Sequence, residues 1–254
     1  MDNENKILTA IQRGEYSNDI HKYTTTDRLK EIIPNNSLYF SSVAKYNDPF
    51  EFKANLSSNF NQLELFTLLK DTGKYSDAEA TKLSDMMIQD KEACLSSFQQ
   101  SIEKTISKLG VCCLSQKYNN LLMWAHYGND HKGVVLKFKM DKDLSFFSPL
   151  FKVDYCTDFP KYNYFKNNKG LDHIQVKTKS IDWAYEEEMR IIKEKEGLYQ
   201  FNKIALFSIY FGLRTPQDEI DNIIKLATEN GFEHLIYKKA TIKEGHYSLE
   251  FKAL

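Results

Sequence analysis

The stretch HKYTTTDRLKEIIPNNSLYFSS, residues 21–42, decides how the chain is read. His21-Lys22-Tyr23 has the look of a strand end, and Thr26-Asp27 offers an N-cap. Leu29, Ile32 and Ile33 then form the buried stripe of a short helix that Pro34 stops, because proline lacks the amide a further turn needs. Asn35-Asn36 makes the turn into Ser37-Leu38-Tyr39-Phe40-Ser41-Ser42, a second strand. The opening unit is therefore strand, short helix, strand.

Upstream, residues 4–14 place Ile7, Leu8 and Ile11 at helical spacing, with Asp2 or Asn3 as cap. Downstream, residues 60–108 hold helix formers, no proline, and charges interleaved with Leu, Ile and Met, which predicts a helical insert of two or three helices. Val111 to Ser115 reads as a buried strand, Leu121 to Tyr127 as a short helix, and Gly133 to Met140 as a half-buried alternating strand. Phe151 to Tyr155, Glu187 to Ile192, Ile204 to Phe211, Leu235 to Ala240 and Tyr247 to Lys252 are further strands, and the tyrosine-rich residues 158–170 a loop. A helix from Pro216 to Glu229 ends at Asn230-Gly231. Strands interrupted by short helices predict an α+β fold with a mixed, mainly antiparallel sheet, in one domain of 254 residues.

Lys and Arg total 34 against 35 acidic residues, so the net charge of −1 supplies no general field for nucleic acid or an anionic membrane. No window approaches the roughly 18 apolar residues of a spanning helix, and the start has no signal-peptide pattern, so the expected location is the cytoplasm with no membrane partner. Cys94, Cys112, Cys113 and Cys156 fit neither a disulfide framework nor zinc-ligand spacing, and the six histidines form no HExxH pattern; no metal site is expected. GxxxxGK[ST] and GxGxxG are both absent, which sets aside P-loop and Rossmann chemistry. Aromatics reach 13%, with many tyrosines among polar residues, suited to capping a core or lining a pocket.

Candidate chemistry gathers in a few phrases. On a strand, Glu186, Glu188 and Arg190 share one face and Glu187 and Met189 the other. One carboxylate, held ionised by Arg190, could stabilise an oxocarbenium at a ribose while the second takes a proton from the attacking group; the plain alternative is a solvated Glu186–Arg190 pair. In Met123-Trp124-Ala125-His126-Tyr127-Gly128, His126 could act as acid, base or phosphate ligand, or simply be a hydrogen-bonded residue near a turn beside a core tryptophan. Asn47-Asp48-Pro49-Phe50-Glu51 reads as a turn from which Phe50 enters the core, with metal-binding oxygens as the other possibility. His21, Lys22 and Tyr23 could grip a phosphate and stack on a base, or form an exposed strand edge. Cys112-Cys113 is packing.

Several of these phrases together resemble the bacterial family catalogued as domain of unknown function 2971. They are Lys22-Tyr23, Leu38 to Ser42, Asn47 to Glu51, Leu114-Ser115, Met123 to Gly128, Lys132-Gly133, Lys179-Ser180 with Trp183, Tyr185 to Arg190, and Phe211-Gly212. More loosely, the opening unit is similar to the start of the ADP-ribosyltransferase fold. That likeness implies NAD as substrate, with His21, then Tyr39 or Ser41-Ser42, then Glu188 as its three points, and Glu186-x-Glu188 similar to the paired glutamates of arginine-directed members. The function expected on this basis is an ADP-ribosyltransferase or NAD glycohydrolase, suited to a toxin or phage-defence effector. Glu188, Glu186, His126 and Arg190 are its catalytic candidates, and His21, Tyr23, Tyr39, Ser42, Trp124, Tyr127 and Trp183 its NAD-binding ones. The alternatives are a metal-dependent nuclease using Asp48, Glu51, Glu186, Glu188 and Lys193, and a non-catalytic module that binds a nucleotide or peptide in an aromatic pocket.

Overall fold

The computed structural model describes residues 3–46, 48–166 and 171–254, without the side chains of 171–173. Asp2 as a helix cap, Asn47 of the expected turn, and residues 167–170 of the tyrosine-rich stretch lie outside the described residues.

The elements run α1 (Asn3–Gln12), β1 (Asp19–Thr24), α2 (Thr26–Asn35), β2 (Ser37–Ser42), β3 (Asn55–Leu56), α3 (Gln62–Asp71), α4 (Asp77–Gln89) and α5 (Lys91–Ile106). Next come β4 (Gly110–Ser115), α6 (Leu121–His126), β5 (Val134–Lys139), α7 (Leu144–Phe147), β6 (Leu150–Lys152), β7 (Asp154–Cys156), β8 (Lys161–Tyr162), α8 (Leu171–Lys177) and β9 (Thr178–Ser180). The chain closes with β10 (Glu188–Lys193), β11 (Gly197–Gln200), β12 (Leu206–Phe211), α9 (Gln217–Glu229), β13 (Ile236–Ile242) and β14 (Leu249–Ala253). They gather into two compact units: Met1–Ser41 with Gly110–Val153 and Asp182–Leu254, and Ser42–Leu109 with Asp154–Ile181.

The first unit carries the main sheet, ordered β11-β2-β4-β1-β5-β12-β13-β14, with β10 also on β4 and β6 on β10. The pairs of β1 with β4 and β5, β10 with β4 and β6, β11 with β2, β12 with β5, and β13 with β14 are antiparallel. β12 and β13 run parallel, and α9 makes the crossover between them. This is the α+β fold with a mixed, mostly antiparallel sheet that the sequence predicts.

One face of that sheet is an apolar core. Ile20, Leu38, Phe40, Leu114, Leu136, Phe138, Met189, Ile191 and Ile209 pack there with Leu29 and Ile33 of α2 and Ile220, Ile223 and Ala227 of α9. Helix α2 is capped by Thr25, whose hydroxyl accepts from Arg28 N at 3.2 Å, one residue before the expected cap. It runs through Pro34 and stops at Asn36, a left-handed residue (φ 37°) whose amide bonds the Ile33 carbonyl. Asparagine tolerates that conformation, so the turn and not the proline ends the helix.

The second unit holds α3, α4 and α5, the expected helical insert. Asn61 with Glu64 and Ser76 with Glu79 close reciprocal capping boxes on α3 and α4, and Asp90 caps α5. Phe60, Leu65, Leu68, Cys94 and Phe165 form its core. β3 pairs with β8 and β7 with β9, both parallel. The strand expected over Phe151 to Tyr155 is two, β6 and β7, broken at Val153, and β8 lies inside the expected 158–170 loop. Phe50 does not enter a core: it is 67% exposed, and Phe52 is buried in its place against Tyr46. Among the described residues no helix is long and apolar enough to cross a membrane.

Candidate functional site

The second face of the main sheet carries a smaller apolar cluster, including Tyr23, Trp124, Val135 and Tyr210, and beside it the buried polar side chains. β10 is entered through a 3-10 turn, Ile181–Glu186, and through Glu187, whose φ of 43° is left-handed. A non-glycine residue there stores about 1–3 kcal/mol of strain and persists only where its surroundings hold it. The end of β4 does so: Ser115 Oγ donates to the Glu186 carbonyl at 2.6 Å, and Gln116 N to the Glu187 carbonyl at 3.1 Å. Glu187 therefore breaks the alternation expected from Glu186 onward. Glu188 and Arg190 do share a strand face, and Glu186 precedes the strand.

Arg190 grips Glu188 with two hydrogen bonds, Nε to Oε1 at 2.7 Å and Nη2 to Oε2 at 3.1 Å. The side chains are 0% and 2% exposed, so both charges are withdrawn from water and this pair is buried, not solvated. The two bonds match the fork of the guanidinium to both carboxylate oxygens, the strongest geometry such a pair can take.

Glu186, also buried, accepts from the Tyr127 hydroxyl at 2.7 Å. The neighbouring exposed His126 has Nδ1 3.0 Å from the Tyr185 hydroxyl, and Trp183 lies 6.0 Å from the Tyr185 ring. Asn120 joins the two segments: its Oδ1 caps α6, and its Nδ2 donates to the Tyr185 carbonyl at 3.0 Å. Trp124 is fully buried, donates to the Tyr118 carbonyl at 2.8 Å and meets Tyr23 edge to face, so it anchors the core. A Cβ on Gly128 would stand 2.7 Å from the Trp124 carbonyl oxygen, so only glycine lets the chain turn back over that ring.

β1 brings the third group. His21 stands opposite Ser115 of β4, and Ser115 opposite Glu188 of β10, so the three side chains form one row across adjacent strands. His21 Nδ1 lies 3.3 Å from the Ser115 carbonyl, an acceptor only, so the proton sits on Nδ1 and Nε2 is left as a buried acceptor without a partner. Burial pushes its pKa down to about 4, against the helping Ser115 carbonyl and Asp19 charge, so the ring is neutral near pH 7. Tyr23 points to the same face with its hydroxyl buried and unbonded, and burial raises its pKa well above the ordinary phenol value. Tyr118 and Tyr210 pack on His21 at ring separations of 5.3 and 6.4 Å.

The remaining candidates make contacts of their own. Tyr39 faces outward from β2, 41% exposed. Ser42 belongs to the second unit, where its hydroxyl bonds the Ser107 carbonyl at 2.8 Å and caps a 3-10 turn. Lys193 points to the opposite side of β10 from Glu188 and bonds the carbonyls of Ser145 and Ser148. Asp48 accepts from Phe50 N in a turn, and Glu51 pairs with Lys179 at 3.0 Å inside the second unit. Among the described residues no group of three His, Cys, Asp or Glu could hold a metal ion. Ser115, Tyr118 and Tyr210 were not singled out as site residues; a tyrosine and serine spaced by two in an otherwise apolar strand, Ser208 and Tyr210, was the available signal.

The fold and this face define an α+β protein with a buried ion pair and neutral histidine in one row, edged by aromatic rings. Residues 123–191 match the model of the family described as Protein of unknown function (DUF2971), so the resemblance read from the sequence stands over that stretch. The matched segment contains Trp124, His126, Tyr127, Trp183, Glu186, Glu188 and Arg190. No curated protein and no solved structure matches the chain.

Proposed function

We propose that this protein acts in the cytoplasm on NAD, cleaving the bond between nicotinamide and ribose as a glycohydrolase or an ADP-ribosyltransferase. The observation that carries the reading is the row of His21, Ser115 and Glu188 across three strands, with Glu188 fixed by Arg190. In this reading Glu188 accepts the ribose 2′-hydroxyl and its charge stabilises the oxocarbenium as neutral nicotinamide leaves with the bonding electrons. Water or an acceptor group then adds to C1′, and its proton passes to Glu186 or His126. Tyr127 and Trp183 edge the site, and Tyr23 and His21 face the dinucleotide. Depletion of NAD, or transfer of its ADP-ribosyl group to an acceptor, is chemistry that suits a toxin or phage-defence effector.

A second reading, a non-catalytic nucleotide-binding module, is favoured by the near-complete burial of Glu188 and Arg190 against one another. Nicotinamide release by the purified protein and by Glu188→Gln, in the presence of chelator, separates the two. Release abolished in the variant supports cleavage. NAD binding by calorimetry without release favours the module, and no NAD binding sinks both.

A further inference from the structure

Along β1 and β5 the polar face continues past His21 into a group of lysines set among aromatic rings. Lys137 stands opposite His21 and pairs with Asp19; Lys139 is two residues further on the same face. β12 reaches this point through an irregularity: Leu206 pairs with Phe138 and Ser208 with Lys137, so Phe207 is an extra residue. A bulge of this kind re-aims a side chain, and here it brings Phe207 beneath the lysines. The Lys139 ammonium lies 3.9 Å and that of Lys137 5.7 Å from the Phe207 ring centre.

Lys139 forms no ion pair among the described residues: Asp19, opposite it on β1, pairs with Lys137, and Asp141, whose carboxyl its charge also holds down, is engaged by Asn18 and Lys142. A cation fixed over a ring and bonded to no carboxylate keeps its donors for an anion. Tyr118, 37% exposed, packs tilted against His21 and Tyr210. Lys238, over the Tyr210 ring at 5.8 Å, adds positive charge beside it. His21, opposite Lys137 and 5.3 Å ring to ring from Tyr118, has its Nε2 buried and without a partner. A buried acceptor left unbonded costs about 1–3 kcal/mol, which a donor from a ligand would remove.

We propose that this face binds a nucleoside phosphate, with the base stacked on Tyr118, the phosphates held by Lys139 and Lys137, and a hydroxyl or amine of the nucleoside donating to His21 Nε2. Two residues of strand separate Lys137 from Lys139, about 7 Å, a span that two linked phosphates can bridge. The assignment concerns binding alone and does not need the cleavage reaction.

Titration calorimetry with ADP as probe tests it on the full chain, against adenosine, pyrophosphate and a single-stranded oligonucleotide. ADP is expected to bind, with adenosine weaker for want of the charged contacts. Lys139→Ala and Tyr118→Ala, both at exposed or half-exposed positions, should each weaken ADP binding about tenfold. Absence of ADP binding, or ADP binding unchanged by both variants, overturns the proposal. Tighter binding of the oligonucleotide than of ADP would also overturn it, by assigning the face to a polymer. NAD cleavage that survives Tyr118→Ala while ADP binding is lost would separate this site from the catalytic reading.

Discussion

The two faces of the main sheet are made from the same strands and answer to different demands. On one, Leu114, Met189, Ile191, Leu136, Phe138 and Ile209 pack with α2 and α9, and burial of apolar area explains each side chain. On the other, the alternate positions of those strands bring Ser115, Glu188, Arg190, His21 and Tyr210 inside, all 5% exposed or less. Hydrophobic burial would be served better there by apolar residues. Withdrawing two charges and a histidine from water is costly unless each is well paired, and such groups cluster at functional sites more often than elsewhere.

The sharpest way to break that contrast is Arg190→Ala. It leaves the Glu188 carboxylate charged and buried, which should destabilise the protein by about 3–5 kcal/mol in urea unfolding. The double change Glu188→Met with Arg190→Leu removes both charges and should regain most of that loss. If the single variant were as stable as the natural protein, the pair would be solvated and the contrast between the faces would fail.

His21 gives the next largest effect. Its folded pKa of about 4 lies below the unfolded value of 6.5, so the unfolded chain takes up the proton first as pH falls. The native state therefore loses stability between about pH 6.5 and pH 4, by roughly 3 kcal/mol over the window. Urea midpoints at pH 7 and 4.5 should diverge less in His21→Gln than in the natural chain, since that variant has no proton to take up. An equal fall in both would place the histidine in water.

The apolar face was the legible one. Helix α9 shows its buried Ile220, Ile223 and Ala227 at helical spacing and its stop at Asn230-Gly231, where the glycine has a φ of 78°. β4, β5 and β12 announce themselves as short β-rich runs. The polar face was half legible: Glu186 to Arg190 and His126-Tyr127 stood out by residue type, but their partners are set by register between strands far apart in sequence. Nothing near Glu188 says that Ser115 will stand beside it, and nothing near His21 names Tyr118. Glu187 in a left-handed conformation, β11 beside β2, and Phe52 buried instead of Phe50 are likewise tertiary outcomes that override local pattern.

On the apolar face, Ile209→Val should cost about 1 kcal/mol, the ordinary loss of one buried methylene, and leave nicotinamide release and ADP binding unchanged. A large effect on either would mean that the two faces are coupled through β12. Ile209 neighbours Tyr210 in the chain but points the other way, so it tests whether the division by strand alternation holds at a single residue.

The smallest expected change in stability is the most informative for function. Tyr127→Phe removes one donor from Glu186 while keeping the ring, which is already 40% exposed, and should lower stability by no more than about 1 kcal/mol. The lost hydrogen bond favours the charged carboxylate, so Glu186 becomes harder to ionise. If Glu186 takes the proton of the attacking group, the acid side of the pH–rate profile for nicotinamide release must move to higher pH in this variant. A rate that drops uniformly with an unshifted profile would leave Tyr127 as a positioning residue and pass the proton to His126, whose ring bonds Tyr185 and does not depend on the Tyr127 hydroxyl.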